Sequence, residues 1–376
     1  MLDTLDIARL GGPDASHSPV ATIRSLYVVG GRQRSLRPVR AHFGDWYEYE
    51  SGVLLHIDTS SGAARQVVEY QTPAAECPPE DPAILFKSGT LANGFLYLTT
   101  QTEVLVYRVP SFELASRISL PSFNDVHHVR PTADGTLLVA VTGLDMVTEV
   151  TLGGEVVREW NVWQPGAPIW GDRFSKDIDY RLVPTTKPHL AHPNHLFLIG
   201  DEPWATRFQQ KDAVSLRDPS RRIDIGLERI HDGIVYGDRV LFTTVDARVV
   251  IADTRTLQVT EVIDLHDMHD KDLLLGWCRG CCSTVTGCGS ASRGCERLGS
   301  GTTWHSSRMA SATPWGPTLR ATTCGSAAVS PRSTPRPPVS TQCSGSTPPT
   351  ERRWPGPVRA AAAGSARRPA PRGSGR

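Results

Sequence analysis

Histidine and basic residues recur at one spacing along the first 280 residues of the chain. An imidazole or a cation stands six to eight residues before each of several short turns that are rich in Gly, Asp and Asn. The positions are Lys87, His127 or His128, His192, His231 and Arg279. The whole chain has only 12 histidines, so composition alone does not explain the recurrence. The pattern predicts one such side chain from each unit of a repeated fold, all facing a shared space.

Two chemistries can use a ring of imidazoles and cations. Neutral imidazoles that converge on one point can bind a divalent metal ion, which acidifies water or polarises a carbonyl. Alternatively, His, Lys and Arg together attract a sulfate, phosphate or carboxylate group, and a histidine then transfers protons near neutral pH. Lys87 and Arg279 favour the second chemistry because they repel a metal, and no carboxylate stands at the same spacing. The sequence leaves both open, so the cofactor is unknown, with a divalent metal in the channel as one option.

Residue type and position give each member of the ring a predicted role. The predicted catalytic residues are His128, His192 and His231. The predicted substrate-binding residues are Lys87, His127, Asn194, Asp232 and Arg279. Asp125, Asp232 and Asn194 adjoin ring histidines and can orient them. In the alternative interpretation the histidines are structural and bond backbone carbonyls at strand ends.

Short β-strands in a repeat of about 40 residues must position these side chains. Four copies begin near Leu85, His127, His192 and Ile230, with hairpin turns at Asn93-Gly94, Asp134-Gly135, Gly200-Asp201 and Gly237-Asp238. Four strands per repeat is typical of a β-propeller blade. Residues 25–70 supply a further blade with SLYVVGG as its inner strand, and another begins at Leu274. We therefore expect an all-β propeller of about six blades, with a long insertion, Trp163 to Pro188, of the kind that often forms a functional lid.

Charge and hydropathy set limits on partners and location. The formal charge of +1 gives no general attraction to nucleic acid or anionic membranes. The opening MLDTLDIARL lacks the basic region and apolar run of a signal peptide, and no stretch reaches the length of a membrane span. We expect a cytoplasmic monomer that binds a small-molecule ligand, with neither nucleic acid nor membrane as partner.

The composition changes abruptly after Gly280. From Cys281 onward the chain has no Lys, Asp, Asn, Ile, Phe or Tyr. Cys278-x-x-Cys281 has a zinc-ligand spacing, but the cysteines that follow form no second ordered pair. Back-translation in a frame shifted by one base turns CCSTVTGCGSASRG into a strand-turn-strand sequence that begins VLLDGDRVWVGF. We therefore interpret 1–20 as an N-terminal arm, 21–280 as the propeller, its last blade disrupted by a frameshift, and 281–376 as an out-of-frame, disordered tail.

One blade resembles a known group of propellers. The segment NDVHHVRPTADGTLLVAVTGLDMVTEVTLGGEVVREWNV has a His pair before a DG turn, a strand and an outer hairpin. It resembles blades of six-bladed arylsulfotransferase-like, NHL and strictosidine-synthase-like propellers, and most resembles uncharacterised cytoplasmic propellers with one His per blade. The resemblance implies channel histidines that serve sulfuryl transfer in the first group, matched in kind by His127, His128, His192 and His231. For the uncharacterised propellers it implies a role in sugar or secondary metabolism.

The sequence supports two functions and does not decide whether the protein is an enzyme. In the first, the channel processes an anionic or hydroxylated small molecule. In the second, the protein is a non-catalytic binding or scaffold propeller whose channel histidines are structural.

The interpretation of residues 281–376 as out of frame predicts the result of sequencing the DNA around the codon for Gly280. We expect one inserted or deleted base there, after which the restored frame encodes a further four-stranded repeat. An uninterrupted frame that encodes CCSTVTGCG would contradict the interpretation and make the tail a genuine part of the protein.

Overall fold

Five four-stranded antiparallel sheets make up the described part of the chain, which is residues 25–34, 49–58, 61–80, 82–268, 278–279 and 319–323 of the computed structural model. All of them lie in the unit Met1–Pro331, and the second unit, Arg332–Arg376, is outside the described residues. The first sheet has the order β20-β1-β2-β3, with β1 (Ser25–Gln33), β2 (Tyr49–Asp58), β3 (Ala64–Tyr70) and β20 (Leu319–Thr323).

The other four sheets each follow chain order. The second contains β4 (Gly89–Ala92), β5 (Phe95–Thr99), β6 (Val104–Arg108) and β7 (Glu113–Ile118). The third contains β8 (Val126–Pro131), β9 (Leu137–Val141), β10 (Met146–Val150) and β11 (Val156–Asn161). The fourth contains β12 (Pro193–Ile199), β13 (Glu202–Arg207), β14 (Asp212–Ser215) and β15 (Arg222–Asp224). The fifth contains β16 (Ile230–Tyr236), β17 (Arg239–Thr244), β18 (Arg248–Asp253) and β19 (Val259–Asp264). Short 3-10 helices span Ala74–Glu76, Thr142–Leu144, Tyr180–Leu182 and Leu265–Met268.

The protein is an all-β propeller, and its described residues form five blades where the sequence predicted about six. The blade expected from Leu274 onward falls almost wholly outside the described residues. The prediction that SLYVVGG forms an inner strand is wrong, because β1 lies between β20 and β2 in its sheet. Apart from β20, the predicted out-of-frame tail also lies outside the described residues, so the frameshift stays a prediction.

Each central strand is apolar on both faces, which explains why the blades stack. In β9, Leu137 and Val139 face the second sheet, whereas Leu138 and Ala140 face the fourth. Successive residues of a strand point to opposite faces, so a run such as LLVAV requires a partner sheet on each side. No blade can bury both of its faces alone, and the sheets therefore pack radially.

Aromatic side chains fill the contact between the fourth and fifth blades. Phe197 and Phe242 meet edge to face with ring centroids 5.8 Å apart, and Trp204 stacks on Phe197 at 6.1 Å. Gly233 lies beneath these rings, where an added Cβ would sit 3.0 Å from both phenylalanines. The packing thus leaves no room for a larger residue at position 233.

The four predicted hairpin turns are confirmed. The turn between β4 and β5 is Asn93-Gly94, with φ of 50° and 77°. Two successive residues with positive φ give the type I′ turn that matches the twist of paired strands. Gly135, Gly200 and Gly237 also have positive φ in the turns that join the first two strands of the other three repeats.

The long insertion is fixed to the blades rather than standing free. Phe174 and Tyr180 are buried in the core cluster between the second and third blades. The side-chain amide of Asn124 donates to the carbonyls of Tyr180 and Val183, at 2.8 Å each. The end of the insertion is therefore held at the start of β8.

Stacking of the blades predicts a large effect at Phe242. We expect Phe242→Ala to lower the free energy of unfolding by about 3–5 kcal/mol, because a fully buried aromatic ring leaves a cavity. Val262→Ala is the control, since Val262 is 43% exposed on β19, and should change it by less than about 0.5 kcal/mol. Urea denaturation measures both, and equal effects would contradict the stacking argument.

Candidate functional site

The predicted ring residues gather where the first strands of the blades meet. β4, β8, β12 and β16 lie beside one another, with β12 against both β8 and β16. Lys87 precedes β4, His192 directly precedes β12, and His231 is the second residue of β16. Lys87 and His231 are buried, and His192 is partly exposed. The structure thus brings these three predicted site residues together in the region between the first strands, here called the channel.

A β-bulge occurs at the ring residues in three of these strands. Between Pro193 and Leu196, β12 advances by three residues while its partner β13 advances by two. Between Ile230 and Gly233, β16 likewise advances by three residues while β17 advances by two. On β8 the pairing skips His127. A bulge turns its extra residue out of the normal alternation, which re-aims the side chain.

Threonines of the second strands stabilise two of the bulges. The Thr206 hydroxyl accepts from the His195 N–H at 2.9 Å, and the Thr243 hydroxyl accepts from the Asp232 N–H at 3.2 Å. The Thr206 hydroxyl also lies 3.2 Å from the His231 carbonyl of the next blade. These bonds satisfy buried amides that the interrupted ladder would leave unpaired.

Asp125 is a buried carboxylate with a lysine and two histidines beside it. It accepts a hydrogen bond from the Lys87 ammonium on Oδ1, which also lies 3.6 Å from His127 Nδ1. Its other oxygen, Oδ2, lies 3.7 Å from His189 Nδ1. Burial by itself raises the pKa of Asp125, but Lys87 and the surrounding imidazoles outweigh it and hold the pKa well below its usual range. Asp125 is therefore an anion in the folded protein.

The imidazoles of several blades meet around this carboxylate. The His127 ring centroid lies 5.0 Å from that of His192 and 6.2 Å from that of His231. His189 and His192 are also 5.0 Å apart, with their Nδ1 atoms separated by 2.9 Å. Burial lowers the pKa of His192 to about 3, and burial likewise lowers the pKa of His127. These rings are neutral at pH 7.

His189 belongs to the site although the sequence analysis missed it. It follows the insertion rather than standing before a hairpin turn, so the repeat spacing does not select it. One signal was available in the sequence. His189-x-x-His192 places two histidines three residues apart, between Pro188 and Pro193.

Asp145 fixes the segment that carries both histidines. Its Oδ1 accepts from the N–H groups of Ala191 and His192 at 2.8 and 2.7 Å, and its Oδ2 accepts from Leu190 N–H at 2.7 Å. Arg173, from the insertion, donates to the same Oδ2 at 2.6 Å. A buried carboxylate with four donors holds its neighbours in one conformation.

Two site residues have left-handed backbone conformations. Asp125 has φ of 51° and His192 has φ of 56°, and each directly precedes the first strand of its blade. Such conformations are uncommon for residues other than glycine and concentrate at functional sites. The surrounding hydrogen bonds maintain them, and they aim both side chains at the channel.

His231 and Asp232 form a second imidazole–carboxylate pair. His231 Nδ1 lies 2.5 Å from Asp232 Oδ1, and both residues are buried. Burial lowers the pKa of His231, and Arg279 lowers it further. Burial favours a raised pKa for Asp232, but His231, His195 and His128 outweigh it and lower that pKa. Asp232 is thus ionised, and the single proton of neutral His231 lies on Nδ1.

The second ring nitrogen of His231 has no hydrogen-bond partner in the part of the chain that the structure describes. Nε2 is fully buried and lacks a hydrogen-bond partner among the described residues. An unpaired buried nitrogen is costly, so it is a position where a ligand's hydroxyl or amide proton would be bound favourably.

His128, a predicted catalytic residue, has both ring nitrogens hydrogen-bonded. Its Nδ1 accepts from Leu196 N–H, and its Nε2 lies 3.1 Å from the Thr90 hydroxyl. That hydroxyl donates to the Val129 carbonyl, so it accepts from His128 Nε2–H. The ring stacks on His195, which the sequence analysis also missed, with centroids 3.7 Å apart. The catalytic role of His128 stays a prediction, and this geometry favours a structural one.

The remaining predicted binding residues also lie near the channel. The Asn194 amide lies 3.4 Å from the Ile230 carbonyl, and its buried Oδ1 has no partner in the described part of the chain. Arg279 is buried, and burial lowers its pKa to about 10 despite the charges of Asp232, Tyr49 and Asp125. Asp125 supplies the carboxylate that the sequence analysis did not place in the ring, and with His189 and His192 it forms a set of side chains that could hold a metal ion.

The stacked pair of His128 and His195 predicts loss of stability in acid. Burial lowers the pKa of His195 to about 4 in the folded protein, from 6.5 without burial. Between these values the unfolded state binds one more proton, so stability rises with pH and falls on acidification. In His195→Asn we expect the free energy of unfolding to rise with pH less steeply than in wild type, by about 1.4 kcal/mol per pH unit in this range. Denaturant unfolding at several pH values measures the slopes, and parallel profiles would contradict the assignment.

Comparison with known proteins finds similarity among solved structures. No family model and no curated protein sequence matches the chain. Among solved structures, a Bacteroides caccae protein of unknown function is similar over 69% of this chain and 78% of its own, with TM-score 0.44 and 12% identity.

Two further solved structures are propellers of different proteins. A catalytically inactive virginiamycin B lyase from Staphylococcus aureus, with quinupristin, shows TM-score 0.37 and 13% identity over 56% of this chain. The Neurospora crassa Pan2 WD40 domain shows TM-score 0.38 and 12% identity over 57%. The similarity covers 62% of the length of each. Among the described residues no helix has the length and apolar character to cross a membrane. The fold is a β-propeller.

Proposed function

We propose that the channel binds a small hydroxylated or anionic molecule and that His231 acts on it as a general base. The observation that carries the proposal is the state of the His231 ring. One nitrogen is bonded to an ionised carboxylate at 2.5 Å, and the other is buried without a partner among the described residues. A histidine arranged in this way is oriented, neutral and ready to accept a proton.

The proton transfer follows from the Asp232–His231 pair. Asp232 keeps the Nδ1–H tautomer, which leaves the Nε2 lone pair to remove a proton from a bound hydroxyl or water. The resulting imidazolium is stabilised by the same carboxylate, as in triads where an aspartate orients a catalytic histidine. Because the pair is buried, the attraction between imidazolium and carboxylate is stronger than it would be in water.

The charge balance of the channel favours hydroxylated over strongly anionic substrates. Among the described residues of the channel, Lys87 and Arg279 are buried cations, and Asp125 and Asp232 are buried anions. With neutral imidazoles their formal charges cancel, so the channel is not the positive funnel that the cations alone suggest. Polar groups that could bind hydroxyls are His127, His192 and the Asn194 Oδ1. These groups support a polyhydroxylated molecule as substrate.

The biological setting is also a proposal. Resemblance of one blade to arylsulfotransferase-like, NHL and strictosidine-synthase-like propellers suggests a biosynthetic role in secondary or sugar metabolism. We propose a monomer in the cytoplasm.

A non-catalytic function is favoured by one observation. His128 has both ring nitrogens bonded and stacks on His195, as expected for a histidine that only stabilises the channel. If His231 has the same role, the protein is a binding or scaffold propeller whose outer faces contact a protein partner.

Ester hydrolysis tests the general base without knowledge of the natural substrate. The probes are p-nitrophenyl acetate, phosphate and sulfate, with purified wild type and His231→Ala. We expect at least one probe to be hydrolysed above the buffer rate, and His231→Ala to lower that rate by about 100-fold or more.

His266→Ala is the matched control. His266 makes the same kind of contact, with Nδ1 2.7 Å from Asp264 Oδ1, but its side chain is 42% exposed. It should retain the wild-type rate. Equal rates in wild type and His231→Ala, or no hydrolysis of any probe, would favour the non-catalytic function. A lower melting temperature of His231→Ala without a change in hydrolysis rate would also favour it.

A further inference from the structure

We infer that Asp125, His189 and His192 form a binding site for one divalent metal ion of the zinc class. This inference goes beyond the proposed function, because metal binding requires neither a substrate nor His231. One ligand atom from each residue lies within 4.8 Å of the other two. Asp125 directly precedes β8, whereas His189 and His192 precede β12 of the next blade, so only the folded protein has the site.

The separations of the ligand atoms suit a tetrahedral ion. The two Nδ1 atoms of His189 and His192 are 2.9 Å apart, and His189 Nδ1 lies 3.7 Å from Asp125 Oδ2. Bonds of about 2.0–2.2 Å at tetrahedral angles place neighbouring ligand atoms about 3.3 Å apart. These two distances lie on either side of this value, and the ligand atoms of Asp125 and His192 lie within 4.8 Å of each other.

The tautomer of His189 leaves the correct nitrogen free. The Thr186 hydroxyl donates to the Gly143 carbonyl at 2.6 Å, so its oxygen accepts from His189 Nε2, which is 3.2 Å away. The proton of His189 is therefore on Nε2, and the Nδ1 lone pair faces Asp125 and His192. Metal-binding histidines generally donate their other N–H to such an outer partner.

The outer hydrogen bonds also hold the other two ligands. Lys87 binds Oδ1 of Asp125 and leaves Oδ2 toward the histidines. Asp145 binds the backbone of residues 190–192 and so fixes His192. These contacts form an outer shell of positioning residues.

The ligand set selects among metals. Two imidazole nitrogens and one carboxylate suit Zn²⁺, Co²⁺ and similar ions, whereas Mg²⁺ and Ca²⁺ prefer oxygen ligands. Three protein ligands leave the fourth tetrahedral position for water or a substrate oxygen. The partial exposure of His192 gives the ion a route of entry.

The test titrates the full-length protein with Zn²⁺ alone by calorimetry and with Co²⁺ by visible absorption. The protein is first stripped with EDTA and alkylated with iodoacetamide, because thiols of the cysteines after Cys278 would compete for Zn²⁺. We expect one equivalent bound, and a loss of affinity of about 100-fold or more in His189→Ala, His192→Ala and Asp125→Asn. Circular dichroism identifies the variants that fold.

Two further variants separate this site from other binding. Thr186→Val keeps the shape of Thr186 but removes the acceptor for His189, and we expect it to weaken binding about tenfold. His266→Ala removes a surface histidine beside Asp264 and should bind as wild type does. No bound equivalent in wild type, or wild-type affinity in any folded variant of the three ligands, would overturn the inference. The readout is independent of ester hydrolysis, so the proposed function can fail while the metal site stands, and the reverse.

Discussion

The structure depends on one constraint, which is that each blade is apolar on both faces. A strand such as β9 places alternate residues against two different neighbours, so burial of either face requires another sheet. Radial stacking satisfies this requirement, and the clusters of Phe197, Trp204 and Phe242 show how closely the faces fit. The same stacking brings the first strands of the blades together, and their first residues therefore share one channel.

Burying polar groups in that channel costs free energy, and interactions among these groups must offset the cost. Lys87 is paired with Asp125, and His231 with Asp232, so each buried carboxylate has a partner within the described residues. Removal of one member would leave an uncompensated buried charge, which is strongly destabilising. The channel is therefore a balanced set of charges and neutral rings rather than a surface of one sign. Although burial favours raised pKa values for Asp125 and Asp232, their partners hold those pKa values low, whereas burial lowers the pKa values of the imidazoles and keeps them neutral.

The two imidazole–carboxylate groups differ in the ring nitrogens that they offer to a ligand. His231 has an Nε2 without a partner among the described residues and lies beside an ionised aspartate, which suits proton transfer. His189 and His192 instead turn their Nδ1 atoms toward each other and toward Asp125, which suits coordination of an ion. His127 lies near both groups, because its ring centroid is 5.0 Å from that of His192 and 6.2 Å from that of His231. A bound ion and a general base could thus act on one molecule in the channel.

The sequence by itself determined the repeat and the hairpin turns, and it predicted a His or Lys near the first strand of four blades. These features are local: a Gly-containing turn, an apolar run and a fixed spacing are all contained within one repeat. Tertiary structure decided the roles within the site. A bulge selected His127, rather than His128, for the channel, and the segment that follows the insertion brings His189 to Asp125. Such contacts join residues that are distant in the chain, and their geometry depends on how neighbouring blades pack, which no local pattern records.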